Sequence, residues 1–581
     1  MDTNQTNDCS LYIYSEDYYN FLIKYDNDLQ SVNDIYAPDC INIINSQFLV
    51  AYKERTQGDG ENLYSYGYNS VPKCYGLMDV TGVVDTGADK VRNLPGLGLT
   101  GRDTLVGFID TGIDYTNFLF RNSDGSTRIR YIWDQNQEVF GKGPAQFGYG
   151  AQFSEEDINK ALGSENPYAI VPSRDDEGHG TFLASVACGG IYEEEPFYGM
   201  APECEILMVK LKQAKSNLRD FYLINEDAIC YSEEDIILAI RYLINKAMEL
   251  RKPLVICLGI GTNQGDHNGT TNLELYMDTV SNLRGVCIVA SAGNELGRNS
   301  HFAGDGTTSQ LMSRDMIEVN VGEDDKGFVM EIWGNAPGLL TADIISPTGE
   351  KFDDIDFTKD EFRKASFLYE GTDVYINNIV VERNTGDQLI ILRFVNPDEG
   401  IWTINVRESL NYQGKGFDAW LPIYQFQNSS IKFVRSDPNV TICSPGNGRG
   451  SVTVAGYNHY SKALYINSSR GFTRKGRIKP DLTAPAVNVQ GAFVPTSGNT
   501  DRLLFTTRSG TSIGSAFVAG AVSLILEWAL INSNYPRIST ETIRQILIRG
   551  TKEIVDIEYP NPAWGWGVLD IYESFNIMRN M

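Results

Sequence analysis

Apolar residues fall along this chain in different rhythms, and each change of rhythm marks a boundary. From about 66 to 315, short apolar runs alternate with amphipathic stretches. "TLVGFID" (104–110), "CEILMVKLK", "KPLVICLGIG" and "GVCIVASAGN" read as buried strands. "GHGTFLASVACGG" opens a helix, and "EEDIILAIRYLINKAMEL" repeats its apolar residues at i, i+3, i+4 and i+7. Strands alternating with helices predict a parallel sheet with helices on both faces.

Between about 316 and 437 the rhythm shortens. "IEVNV", "FVMEIWG", "LLTADIISP", "VYINNIVVER", "DQLIILRF", "GIWTINVRES" and "DAWLPIYQF" are alternating or β-branched, and Gly, Pro, Asp and Asn turns separate them. Only a helical turn near 359–365 is expected to interrupt them. This pattern predicts an antiparallel, jelly-roll-like β-sandwich. Over 438–581 the α/β rhythm returns, so the sandwich reads as an insertion into one α/β domain. Residues 1–65 mix strand-like runs ("FLIKY", "INIINSQFLVAY") with turns and end in the linker-like "ERTQGDGEN".

Composition narrows the classes. The 581 residues suit two or three domains, and 42% hydrophobic against 21% charged residues is a globular balance. A net charge of -26 with no Lys/Arg cluster argues against nucleic acid as a partner. The nine cysteines (9, 40, 74, 188, 204, 230, 257, 287 and 443) form no CxxC and read as reduced, buried residues. The N-terminus has neither a basic nor an apolar signal region, so cytoplasmic synthesis is expected. "IGSAFVAGAVSLILEWALI" (513–531) could span a membrane by length, but its small residues and polar flanks read as a core helix, and no membrane partner is expected.

The candidate chemistry sits at the ends of these elements. Of four histidines (179, 267, 301 and 459) none is spaced for a metal, and His179 lies between glycines where a helix begins. Asp110 ends the strand "TLVGFID", where α/β sheets place their sites. Asn294 follows another strand, and Ser512 opens the long apolar helix. Each residue alone also reads as a cap, a turn or a structural group. Together they give an acid, a base and a hydroxyl in the order Asp, His, Ser, one of the chain orders known for a serine-protease triad. "GLGLTG" (96–101) fits a dinucleotide fingerprint but precedes its strand instead of following it, so that reading fails.

At these residues the chain resembles the subtilisin-like serine proteases. "FIDTGID" is similar to the family's Asp motif, "GHGTFLAS" to its His motif, "SGTSIGSAFVAG" to its Ser motif and "SAGN" to the stretch holding the oxyanion-hole asparagine. "YGMAPECEILMVKL", "SSRGFTRKGRIKPDLTAPAVNV" and "GWGVLDIYESF" extend the likeness over about 66–315 and 438–581. The insertion and "GTNQG" (261–265) look most similar to the clostridial Csp-type subtilases, which include spore-germination processing proteases and members without catalysis. Phe182, Gly514, Ala516 and Phe517 depart from common family residues without removing a triad group. Residues 20–55 resemble part of the family's propeptide, as strand, helix, strand, strand; its closing helix and strand are not seen before "YNSVPKCYG".

The resemblance implies a serine endopeptidase with Asp110, His179 and Ser512 as triad and Asn294 in the oxyanion hole. It places the substrate backbone against Gly259, Ile260 and Gly261 on one side and Ser291, Ala292 and Gly293 on the other. The partners expected are a protein or peptide substrate and the chain's own N-terminal segment, as intramolecular inhibitor or chaperone. No cofactor is expected for catalysis; structural calcium stays open, with "NSDGST" (122–127) readable as oxygen ligands or as a plain turn. Spore association follows if the protein is Csp-like, and export would need a non-standard route. A rival reading is a non-catalytic binding or signalling protein on the same fold.

Overall fold

The apolar runs on either side of the insertion come together in one eight-stranded sheet. Its order is Leu482–Pro485, Ser451–Tyr457, Val286–Ser291, Leu254–Leu258, Leu105–Asp110, Glu205–Lys210, Ile129–Asp134 and Ala151–Ser154. All neighbours pair in parallel except the last two, which are antiparallel. This computed structural model describes residues 9–55, 62–77, 84–93, 97–137, 139, 142–192, 194, 197–304, 316–323, 325–353, 359–408, 416–495 and 504–579. Strand Leu105–Asp110 is buried at every position because both faces of the sheet are covered. Val106 and Phe108 pack toward helices His179–Cys188 and Thr511–Leu526. Leu105 and Ile109 pack toward helices Glu233–Leu250 and Asn272–Val280. The run read as a core helix over 513–531 is α-helix Thr511–Leu526, buried throughout, continued by a partly exposed π-helical turn Glu527–Ile531.

The insertion is a pair of antiparallel sheets. One is ordered His301–Gly304, Phe417–Trp420, Gly327–Gly334, Leu389–Val395, Thr372–Ile379, Glu361–Phe367; the other is Lys351–Phe352, Leu340–Ile345, Gly400–Glu408, Met316–Val321, Lys432–Phe433. Alternation decides their packing: Ile317, Val319 and Val321 face the core, and the residues between them are half-exposed. Trp402 fills the centre, edge-on to Phe367 at 5.0 Å and Phe394 at 5.3 Å. Strand His301–Gly304 precedes the expected start at 316, and the boundary at 315 lies outside the described residues. The turn expected near 359–365 is instead mostly strand Glu361–Phe367, whose alternating charged residues fit an edge position. Most of the linker read at "ERTQGDGEN" also lies outside the described residues.

The N-terminal segment runs strand, helix, strand, strand (Tyr18–Lys24, Leu29–Tyr36, Cys40–Ile43, Phe48–Glu54), in the order its sequence indicated. It docks on the first turns of two helices: Asn20 Nδ2 donates to Glu234 Oε1 at 2.8 Å, and Asn272 Nδ2 to the Leu22 carbonyl at 3.2 Å. The reading of all nine cysteines as reduced fails here. Cys9 and Cys40 form a disulfide, because the short helix Ser10–Ile13 folds back and brings their Cα atoms to 5.9 Å. The other seven are free and buried.

Candidate active site

Four element ends meet at the carboxyl edge of the parallel sheet. Asp110 is the last residue of its strand, His179 the first residue of its helix, and Ser512 the second residue of Thr511–Leu526. Asp110 Oδ1 lies 2.7 Å from His179 Nδ1, and His179 Nε2 lies 3.2 Å from Ser512 Oγ. All three side chains are buried.

Small residues make this approach possible. A Cβ at Gly180 would lie 2.2 Å from the Gly112 carbonyl oxygen and 3.1 Å from Asp110 Cβ, so only glycine lets the helix close on the strand end. A Cβ at Gly259 would reach Leu183 Cδ1 at 2.7 Å, Ser512 Cβ at 3.1 Å and His179 Cε1 at 3.2 Å. Gly259 therefore brings the next cleft edge directly against the Ser–His pair.

Asn294 follows strand Val286–Ser291. Its Oδ1 accepts from the Thr511 backbone N–H at 3.1 Å and from Thr511 Oγ1 at 3.2 Å. That fixes the amide with its oxygen on the Thr511 side and its Nδ2 as the donor end. Ser512 sits in the first helical turn, where backbone N–H groups have no intrahelical partner and the helix dipole favours negative charge. A serine hydroxyl, an imidazole to take its proton and two donors for an oxyanion are thus within one turn of each other.

The two expected cleft walls differ. Ile260–Gly261 pairs antiparallel with Cys74–Leu77, Leu77 opposite Ile260 and Gly76 opposite Gly261. The same short strand pairs on its other side with Tyr231–Ser232. The chain's own N-terminal portion is therefore a middle strand in the cleft that Gly259 opens. The second wall is bonded into the body: Ala292 N–H donates to the Val454 carbonyl, and the Ala292 carbonyl accepts from Cys443 N–H, both at 2.9 Å. Gly293 N–H donates to Thr511 Oγ1 at 3.1 Å, and its carbonyl accepts from Ser469 N–H at 2.9 Å. Ser291, Ala292 and Gly293 form a wall rather than a pairing edge.

Asp175 went unnoticed in the sequence. It is buried, and it accepts from Thr111 Oγ1 (2.7 Å), Gly178 N–H (2.9 Å), Thr181 N–H (2.8 Å) and Thr181 Oγ1 (2.6 Å). Burial, with Asp110 nearby, pushes its carboxyl upward, against these four donors. A carboxylate four residues before a glycine-flanked histidine was the available signal.

The remaining histidines serve packing. His267 stacks on Trp420 at 4.1 Å and both its nitrogens meet backbone carbonyls; His301 bonds Asp418 at 3.0 Å. Cys257, two residues before Gly259, is no rival nucleophile, since burial pushes its thiol up to about 12. In "NSDGST", Asp124 Oδ1 accepts from Ser126 N–H and Oγ at 2.9 and 2.6 Å, closing a turn. Among the described residues no group of three or more His, Cys, Asp and Glu side chains is placed to hold a metal ion.

Comparison with known proteins agrees with this geometry. The model of the subtilase family matches residues 101–315 and 409–567, leaving out most of the sandwich. The solved CspB protease of Clostridium perfringens is 30% identical, covers 86% of this chain and 98% of its own, and superposes with a TM-score of 0.73. Subtilisin-like protease SBT3.13 of Arabidopsis thaliana is 24% identical over 477 residues, 77% of this chain and 56% of that protein. The minor extracellular protease Vpr of Bacillus subtilis is 21% identical over 86% of this chain and 58% of its own length. The chain thus spans little more than half the length of these two curated relatives. With the family model covering both sheet-forming stretches, and a Csp-type structure matching 86% of the chain, the chain belongs to the subtilase family and is Csp-like within it.

Proposed function

We propose that this protein is a serine endopeptidase whose first substrate is its own N-terminal segment. The observation that carries the reading is the hydrogen-bonded series Asp110–His179–Ser512 beside a cleft already holding a peptide strand, Cys74–Leu77. Serine is a weak nucleophile at neutral pH, so His179 takes its proton during attack and returns it to the leaving amine. Asp110 holds the ring tautomer and stabilises the imidazolium without being protonated. The Ser512 backbone N–H and Asn294 Nδ2 bind the oxyanion of the tetrahedral intermediate. The carbonyl carbon gains the Ser512 Oγ bond, the amine leaves with the proton from His179, and water then hydrolyses the acyl-enzyme.

An extended peptide added as a strand between Ile260–Gly261 and Tyr231–Ser232 gives main-chain recognition of protein substrates. The N-terminal strand occupies that place, so it acts as an intramolecular inhibitor until displaced. Lys73 N–H donates to Glu233 Oε2 of the catalytic body at 3.3 Å, and Tyr68 OH donates to Glu331 Oε2 of the sandwich at 2.6 Å. The segment is thereby wedged between the catalytic body and the sandwich. That fits a processing protease with a narrow substrate range, in keeping with its Csp-like character, better than a scavenging one.

Fluorophosphonate labelling of wild type beside Ser512→Ala, with intact mass read on both, tests the proposal. The expected result is labelling in wild type alone, with self-cleavage shortly after Leu77. A folded, unlabelled, full-length wild type would move the non-catalytic binding reading ahead.

A further inference from the structure

Thr111, directly after Asp110, carries one hydroxyl proton and faces two carboxylates. Asp175 Oδ1 is 2.7 Å from Thr111 Oγ1, and Asp110 Oδ1 is 3.2 Å away. The Gly180 N–H donates to the same hydroxyl oxygen at 2.9 Å, which leaves the proton to be shared on the carboxylate side. The shorter contact takes it. Asp110 Oδ1 then accepts only from the Thr111 backbone N–H at 2.8 Å and from His179. Gly178 N–H donates to Asp175 Oδ1 and Thr181 N–H to Oδ2, so a backbone donor that cannot reverse meets each oxygen, an arrangement suited to the ionised carboxylate.

We propose that Asp175 is a positioning residue for the triad, which withholds the Thr111 proton from Asp110 and thereby keeps His179 a stronger base. The proposal rests on the Asp110–His179–Ser512 reading above. Two effects act together. A carboxylate with fewer donors is a stronger acceptor for the imidazolium N–H, and a second negative charge one hydroxyl away stabilises that cation directly. Asp175 also bonds Thr181 and Gly178, on either side of His179 and Gly180, so it fixes the turn that carries the ring.

The other charged and titratable groups around this network come from several elements. Arg174, Asp176 and Glu177 share its loop, with Lys210 Nζ donating to the Arg174 carbonyl at 2.6 Å and pairing with Asp176 at 3.0 Å. Arg508 donates to the Glu177 carbonyl at 3.1 Å. Tyr231 and Cys257 are held protonated, chiefly by burial. Asp114, whose N–H donates to Thr181 Oγ1 at 2.8 Å, stands at the far side of Thr181. None of these has a contact to the Thr111 hydroxyl among those described, and the substitutions below leave them in place.

The test is the titration of His179 by NMR in Ser512→Ala protein, where four histidines keep the spectrum simple, alongside the pH dependence of fluorophosphonate labelling in the Ser512 protein. In Asp175→Asn a negative charge one hydroxyl away from Asp110 is lost, and where the amide nitrogen takes the Thr111 side the Thr111 proton also turns to Asp110. The His179 pKa is expected to fall by about half to one unit. The basic imidazole then persists to lower pH, so the acid limb of labelling moves down by the same amount. A slower rate with an unmoved titration would mean that Asp175 only braces the fold, and the proposal fails. Thr111→Val guards against a variant that does not fold. If Asp175 already holds the proton, deleting the hydroxyl leaves the His179 titration where it was; a rise of about half a unit would show that Asp110 had been receiving it, and overturns the proposal. The NMR readout does not need turnover, so a wild type that labels poorly sinks the endopeptidase reading without touching this one.

Discussion

The central sheet and the inserted sandwich are both built of β-strands, yet they solve opposite burial problems. Strands Leu105–Asp110, Leu254–Leu258 and Val286–Ser291 are buried at every residue, because helices cover both faces of a parallel sheet. Strands Met316–Val321 and Glu361–Phe367 alternate instead, with the positions between their buried residues partly or fully exposed. The difference decides where chemistry can sit. A strand buried throughout has only its end to offer, and Asp110 and the stretch Ser291–Asn294 stand at such ends. The sandwich spreads its polar groups over faces, and none of its described residues is hydrogen-bonded to Asp110, His179 or Ser512. The buried Arg474–Asp387 pair, with Arg474 also donating to the Asp266 carbonyl at 3.1 Å, ties it to the catalytic body.

The largest effect should come from the strand end. Asp110→Asn keeps the shape but offers the wrong partner to His179 Nδ1, so labelling and turnover should fall by about 10⁴ while the melting temperature barely moves. A fall in stability with activity retained would mean that the sheet edge is built for folding rather than chemistry.

The junction between the two regions should respond next. Arg474→Leu leaves Asp387 buried with only Lys475, at 3.0 Å, and the Ala336 N–H, at 2.9 Å, as partners. With Lys475 still facing Asp387, the cost should lie below the roughly 3–5 kcal/mol of a buried pair broken outright. Calorimetry should then resolve two transitions in place of one, with the sandwich melting first. A single, equally lowered transition would make the two regions one cooperative unit.

This contrast also explains what the sequence could and could not convey. Continuous apolar runs ending in Asp110 and "SAGN", and the small-residue turn before the Thr511–Leu526 helix, carry local signatures, so the sheet and the residues that converge at its carboxyl edge were legible. Alternation made the sandwich legible for the same reason. The Cys9–Cys40 bond was not, because the pairing depends on a short helix folding back across residues 31 apart. The cleft strand Cys74–Leu77 has no signature either: its pairing is supplied by Ile260–Gly261 and Tyr231–Ser232 on either side. Asp175 acts through a hydroxyl reached only after the turn has folded.

The smallest effect belongs to the sandwich edge, and it sharpens the comparison. Arg363 Nε pairs with Glu361 Oε1 at 2.7 Å on the outer strand Glu361–Phe367. At this partly exposed edge such a pair gains little, because solvent reaches Arg363 and both side chains lose freedom when held together. Arg363→Ala should therefore change unfolding stability by less than about 1 kcal/mol and leave Ser512 labelling as it was. Its charge does more against a neighbouring molecule than within its own. An edge strand exposes unpaired backbone groups, and charged side chains such as Arg363 and Lys364 keep a second edge from joining it. Light scattering of Arg363→Ala with Lys364→Ala should show increased self-association at unchanged stability. No comparable change is available inside the parallel sheet, where a strand such as Leu254–Leu258 has partners on both sides and no residue in water.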